Sequence, residues 1–233
     1  MRLIAKEWHQ VAWGNFETNL EFLRRVGFAS GASAVLEIGC GKGALLNRLH
    51  AMGHTVCGVD RDTEAIAFCR ASHPEIAVCV GLGDKLPFRD RTFDTVLSFD
   101  VFEHIANSDR HLREVRRVLK PAGAYLLQTP NKWTNIPFEL LRHHRKLGLV
   151  LVASYRSILG DHCALHSYWE LRRRFEAHGF DFTFVNVPVV NDYFLAKMRT
   201  YLGAPGLALL RVLNPDRLPM FMRTNFYARA VAR

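Results

Sequence analysis

The sequence predicts an α/β fold, a parallel sheet covered by helices on both faces and finished by a terminal antiparallel pair of strands. Three observations predict it. Short apolar runs alternate with amphipathic stretches from Ala34 to Thr129, the rhythm of strand-helix-strand units. A glycine-rich segment, Val35-Leu-Glu-Ile-Gly-Cys-Gly-Lys-Gly43, joins the first strand to the first helix of that run. Toward the end, Phe180 to Val187 and Asn225 to Ala232 alternate as strands across a long connection.

The elements follow in order. Ala34 to Ile38 reads as a strand, Ala44 to Met52 as a helix and Thr55 to Val59 as a second strand. Asp62 to Ala71 is helical, Ile76 to Val80 a third strand and Asp94 to Phe99 a fourth. The spacing of Leu112, Val115 and Val118 predicts a helix over 108–119, after which Lys120-Pro-Ala-Gly123 turns into a fifth strand, Ala124 to Thr129. Beyond Pro130 the chain becomes basic, aromatic and irregular, with a helix expected over 137–147. Ser167-Tyr-Trp-Glu170 is a capping box that opens a helix ending at Gly179. Residues 189–222 read as a second basic, apolar insertion.

With 233 residues one domain is expected, comprising a helical cap over 1–32, a ligand-binding half over 33–131 and a second half over 132–233. The charge is unevenly placed. Residues 1–131 hold 16 Lys+Arg against 15 Asp+Glu, net +1, and residues 132–233 hold 15 against 7, net +8. Such a basic half suits an acidic ligand, an anionic membrane surface or nucleic acid, or is simply a solvated face. No apolar run approaches the roughly 18 residues of a membrane span, and no leader pattern opens the chain. The five cysteines (40, 57, 69, 79 and 163) form no C-x-x-C pair. Reduced core thiols in a cytoplasmic protein are therefore expected.

The glycine segment has two readings. Gly39, Gly41 and Ala44 satisfy the dinucleotide pattern G-x-G-x-x-G/A, and Asp60 stands where a ribose-binding acid belongs. A nicotinamide dehydrogenase fits that much. Glu37, two residues before the first glycine, weighs against it, because a carboxylate there suits a cationic ligand better than a pyrophosphate.

The remaining motifs decide between them. Val35 to Gly43, Val56-Cys-Gly-Val-Asp60, Gly83-Asp-Lys-Leu-Pro-Phe88, Phe93 to Ile105 and Leu112 to Pro121 resemble, in order and spacing, the class I (Rossmann-like) S-adenosylmethionine-dependent methyltransferases. Within them the likeness is to the ubiquinone-pathway and natural-product small-molecule group. It covers about residues 33–131. One departure is Ala122, where the family carries the first of two glycines.

The resemblance implies a three-layer sandwich around a seven-stranded, mostly parallel sheet with its last strand antiparallel. It also implies S-adenosylmethionine as cofactor and S-adenosylhomocysteine as product. Gly39 and Gly41, with Cys40 between them, would hold the backbone against the methionine part, and Glu37 would support its charged end. Asp60 would accept both ribose hydroxyls. Arg61 would lie by the adenine face, Asp84 would accept from the adenine amino group, and Phe99 would contribute its carbonyl and ring.

Methyl transfer needs alignment and, where the acceptor carries a proton, a base. His104, just past the fourth strand, is the candidate catalytic residue. Its imidazole suits neutral-pH proton removal, and the alternative is a structural histidine that holds the loop. No metal site is expected, because Asp161-His162-x-x-x-His166 lies in no clear helix. Arg142, His143, His144, Arg145 and Lys146 form a basic stretch. Trp8, Trp13 and Phe16 are expected to pack a helix onto the sheet, a lid being the alternative. The implied partner is a small-molecule acceptor, acidic or lipid-like, with peripheral contact to an anionic membrane surface as a further option. Nucleic acid is disfavoured: Ser98-Phe-Asp-Val101 is not the Asp/Asn-Pro-Pro-aromatic motif of exocyclic-amine enzymes, and there is no Pro-Cys nucleophile. A non-catalytic cofactor-binding module is the remaining alternative.

Overall fold

The computed structural model describes residues 4–28, 32–136 and 162–233. The helix expected over 137–147, with the basic stretch 142–146, lies outside the described residues, as do the side chains of Trp8 and Trp13. The chain opens with helix α1 (Ile4–Arg25). Then come β1 (Ala34–Ile38), α2 (Ala44–Ala51), β2 (Thr55–Asp60), α3 (Thr63–Ser72), β3 (Ala77–Val80) and β4 (Phe93–Phe99). A 3-10 turn at Phe102–His104 leads to α4 (Ser108–Val118) and β5 (Leu119–Pro130). The remainder is α5 (Tyr168–Ala177), β6 (Phe180–Val185), α6 (Asp192–Leu213) and β7 (Asn225–Ala232).

The seven strands form one sheet in the order β3-β2-β1-β4-β5-β7-β6. The pairs among β1 to β5 are parallel, and β7 runs antiparallel to both neighbours. This is the architecture expected from the sequence. Successive strand residues face opposite sides. Leu36 and Ile38 accordingly join Leu112, Val115 and Phe175 in one core, while Val35 joins Phe22, Leu46 and Leu97 in the other.

Local chemistry sets the element ends. The Asp62 carboxylate accepts from Glu64 N and Ala65 N to start α3, and Asn107 caps α4 through Arg110 N. The Ser167–Glu170 capping box is formed at α5, and Gly179, at φ 77°, ends that region. β5 begins five residues earlier than the sequence pattern predicts. Lys120 to Gly123 forms a bulge rather than a turn before the strand, the register jumping from Phe93–Leu119 to Thr95–Ala124. Ala122 holds φ 59° there, the conformation for which glycine is the ordinary residue. The insertion over 189–222 contains a long helix. Its period is masked in the sequence by Gly203 (φ 65°) and Pro205, which break α6 into two helical stretches.

Candidate active site

The strand order reverses direction between β1 and β4, and ligands of open α/β sheets bind outside the carboxyl ends of strands at such a point. A cleft of 430 Å³ lies there. Gly39, Asp60, Arg61, Asp84, Phe99 and His104 line it, with Gly83, Asp100 and Val101 among their neighbours.

The glycine loop is fixed by close approach. Gly39 has φ 76°, and a Cβ there would stand 2.2 Å from Val101 Cγ2, so any side chain would strike the loop after β4. Gly41, at φ 51°, donates its N–H to Asp60 Oδ2 at 2.8 Å, while Asp60 Oδ1 accepts from Asp62 N at 2.8 Å. Asp60 thus clamps the glycine loop to the start of α3 and keeps lone pairs for a ligand, since a carboxylate offers about four acceptor positions. Cys40 turns the other way. Its Sγ packs beneath the loop, 2.6 Å from where a Cβ on Gly58 would be, and only its backbone is left to meet a ligand.

Glu37 sits under the loop, 7% exposed, and its Oε2 has no hydrogen-bond partner. Burial, reinforced by the nearby Asp60 charge, pushes its carboxyl up to about 8. An acid held this way gains by meeting a cation. The ammonium and sulfonium of S-adenosylmethionine supply one, so the residues present fit that cofactor. A pyrophosphate would add negative charge instead.

On the Asp84 side of the cleft, Gly83 is held from behind by a buried chain of hydrogen bonds. His111 Nδ1 is 2.7 Å from Gly83 O, His111 Nε2 is 2.8 Å from Tyr125 OH, and that hydroxyl is 2.6 Å from Ser98 Oγ. All three side chains are fully buried. Burial pushes His111 down to about 4 and raises Tyr125, so both stay neutral near pH 7. The sequence reading missed His111. The available signal was its place at i with Val115 and Val118 at i+4 and i+7, a polar residue on the stripe that faces the core.

The other end of the cleft is assembled from distant segments. Asp100, at φ 55°, is held by Gln128 Oε1, which accepts its N–H at 2.8 Å. Its Oδ2 accepts from Asn15 Nδ2 of α1 at 2.9 Å. Phe22 of α1 meets Phe99 edge-on at 6.1 Å, and Phe16 packs against the same core. Helix α1 therefore reaches from the sheet core to the rim of the cleft. His104 lies on the 3-10 turn with its ring 4.9 Å from that of His162. Beside it Glu103, 1% exposed, accepts from Thr129 Oγ1 at 3.0 Å. Burial and the Asp100 charge raise the Glu103 carboxyl above the ordinary range. Ala164 N donates to Glu103 O at 2.9 Å, which ties the loop carrying His162 to this turn.

One ligand atom each from Glu103, His104 and His162 falls within 4.8 Å of the others. The sequence reading considered His162 only with His166. His166 lies against Phe102, 5.3 Å between rings.

Comparison with known proteins follows the same division of the chain. Residues 36–127 match the family described as methyltransferase domain. In that segment the chain is similar to S-adenosylmethionine-dependent methyltransferases. A probable S-adenosylmethionine-dependent methyltransferase of Mycolicibacterium smegmatis is 36% identical over 103 residues, 44% of this chain and 40% of that protein. A probable tRNA methyltransferase 9B of Mus musculus is 32% identical over 56% of this chain and 30% of its own length. The mitochondrial ubiquinone biosynthesis O-methyltransferase of Arabidopsis thaliana is 35% identical over 42% of this chain and 32% of its own. The chain thus spans well under half the length of these curated relatives. Among solved structures, the YcgJ protein of Bacillus subtilis shares the fold with a TM-score of 0.62 at 18% identity, over 94% of this chain and 99% of that one.

The chain has a second cavity, of 390 Å³, at the opposite edge of the sheet, lined by Arg91, Arg113, Arg116, Arg117 and Lys120. Several of these cations serve the fold. Arg116 donates to the carbonyls of His178, Gly179 and Arg233, Arg117 pairs with Glu114 and Asp90, and Lys120 pairs with Asp94. Among the described residues no helix is long and apolar enough to cross a membrane.

Proposed function

We propose that this chain transfers a methyl group from S-adenosylmethionine to a small-molecule acceptor bound at the His104 end of the cleft. The observation that carries the reading is the pairing of a buried, unpartnered Glu37 oxygen with a ribose-type acid, Asp60, around a glycine loop with no room for side chains at Gly39. When bound, the cofactor supplies an electrophilic methyl on a positive sulfur. Glu37 would face the charged end, Asp60 would accept from the ribose, and Asp84 would accept from the adenine amino group.

His104 stands where the acceptor would approach. Its imidazole would take the proton of an acceptor held there, if the acceptor carries one. Helix α1 stands at the same end, where Asn15 donates to Asp100 at 2.9 Å.

The net charge of +8 over residues 132–233 favours an acidic or lipid-like acceptor. The same charge, together with likeness to a probable tRNA methyltransferase, supports a second reading, methylation of RNA. Incubation with S-adenosylmethionine labelled in its methyl group separates them. Label entering the organic-soluble fraction of a metabolite extract supports the first reading, and label entering RNA supports the second. No label in either pool contradicts both and leaves a cofactor-binding module.

A further inference from the structure

We infer that the carboxyl edge of the sheet carries a docking surface for an anionic membrane, formed by Trp133, Trp169, Phe221 and Met222 within a basic surround. Large apolar side chains rarely stay in water together without a partner. Here Trp133 is 66% exposed, Trp169 53%, Met222 46% and Phe221 41%.

The four are drawn together by the fold. The Trp169 and Phe221 rings lie 5.4 Å apart. Asn131 Nδ2 donates to Phe221 O at 2.9 Å, and Asn131 Oδ1 accepts from Trp133 N at 3.1 Å. Lys132 N donates to His166 O and Lys132 Nζ reaches Glu170, so the segment after β5 is bound to the start of α5, where Trp169 sits.

Charge names the partner. Arg173 is exposed on α5, one helical turn from Trp169 and on the same face, and Arg217 is exposed shortly before Phe221. Glu170, next to Trp169, is paired with Lys132, and Glu176 is exposed farther along the helix. Indole rings settle at the level of lipid headgroups, and lysine and arginine are drawn to anionic leaflets. A thioether and a phenyl ring add apolar contact that a stacked base would not use. Among the described residues no helix is long and apolar enough to cross a membrane.

Position gives the surface its use. β5 ends at Pro130, paired with Asn225 at the start of β7, so residues 131–133 and 220–222 flank the same edge as the cleft. The loop bearing His162 joins them to the turn of Glu103 and His104. On the proposed reading of the cleft, on which this use rests, a docked chain would turn the acceptor end toward the lipid and receive a lipid-soluble acceptor from it.

The test is co-sedimentation of the full chain with vesicles of phosphatidylcholine alone or with about a quarter phosphatidylglycerol. We expect binding to the anionic vesicles, loss of it at high salt, and about a tenfold loss in the Trp169→Ala/Phe221→Ala variant. Arg173→Glu/Arg217→Glu should lose it likewise. Both variants should keep their thermal melting and S-adenosylhomocysteine affinity, because none of the four side chains lines the cleft. Absence of binding to either vesicle overturns the inference, as does undiminished binding in both variants. So does tRNA that binds through the same residues and displaces vesicles, which would make the surface an RNA contact. Failure to bind S-adenosylhomocysteine with vesicle binding intact would count against the proposed function and leave the docking surface standing.

Discussion

The two ends of the cleft are built on different principles. At the cofactor end, the backbone does most of the selecting: Gly39 collides with Val101 if it carries a side chain, and Gly41 N and Asp62 N converge on one carboxylate. At the His104 end, side chains from segments far apart meet one another, with Asn15 on Asp100 across 85 positions and His162 against His104. The motifs of the first end are each local to a strand end, although Gly39 and Val101 meet only in the fold, whereas the side-chain pairs of the second join distant segments. Substitutions should therefore uncouple at one end, where rate changes without affinity, and couple at the other, where affinity and loop geometry fall together.

The largest effect should come from His104→Gln, which keeps polarity but removes basicity. General-base contributions run about 10²- to 10⁴-fold, so single-turnover rate should fall by that order with unchanged cofactor affinity. A variant that melts early and binds cofactor poorly would instead make His104 a residue that holds the loop.

Asp60→Ala should act in the opposite way. It removes the ribose contacts and releases Gly41 and Asp62 from their shared acceptor. With roughly 1.5–3 kcal/mol per charge-assisted bond, calorimetry should show affinity for S-adenosylhomocysteine reduced about 100-fold or more. An unchanged affinity would show that the two ends do not differ as described.

His111→Phe sharpens the comparison, because it touches no ligand. The Gly83 carbonyl and the Tyr125 hydroxyl would each lose a buried partner, at about 1–3 kcal/mol of stability. Cofactor affinity should fall by about tenfold through the adenine loop. Equal affinity in a destabilised variant would assign the network to folding alone. Smallest of all, Ala122→Gly should relieve the left-handed conformation at the far edge and raise stability by about 0.5–1 kcal/mol. Cofactor binding should be untouched, read from paired melts and titrations.

This contrast also explains what could be read from the sequence. Strands, the parallel order and the closing antiparallel strand were legible because burial on both faces enforces apolar runs and because motifs at strand ends are local. Gly39, Asp60, Arg61, Asp84, Phe99 and His104 sit at such ends, and the cleft brings them together. Asp100, Asn15 and the Glu103–His104–His162 group were not legible, since their proximity depends on tertiary contacts rather than spacing. Cys40 shows the converse limit. Its position in the glycine motif was visible, but the direction of its side chain, into the core beside Gly58, was not.

The central claim is that the cleft receives a cationic cofactor over Glu37, and proton release on binding tests it most directly. Without cofactor, the Glu37 carboxyl is raised to about 8, so it holds its proton at pH 7. The stability this contributes is complete below its unfolded value and is lost as pH rises through about 8. An ammonium placed beside it favours the charged form, so binding must expel that proton, and affinity must rise with pH up to that value. Titration of S-adenosylhomocysteine at pH 7 in buffers of different ionisation enthalpy should report release of about one proton in the native chain and none in Glu37→Gln, while NAD gives no heat of binding. NAD binding without S-adenosylhomocysteine binding, or proton release unchanged in Glu37→Gln, would contradict the account.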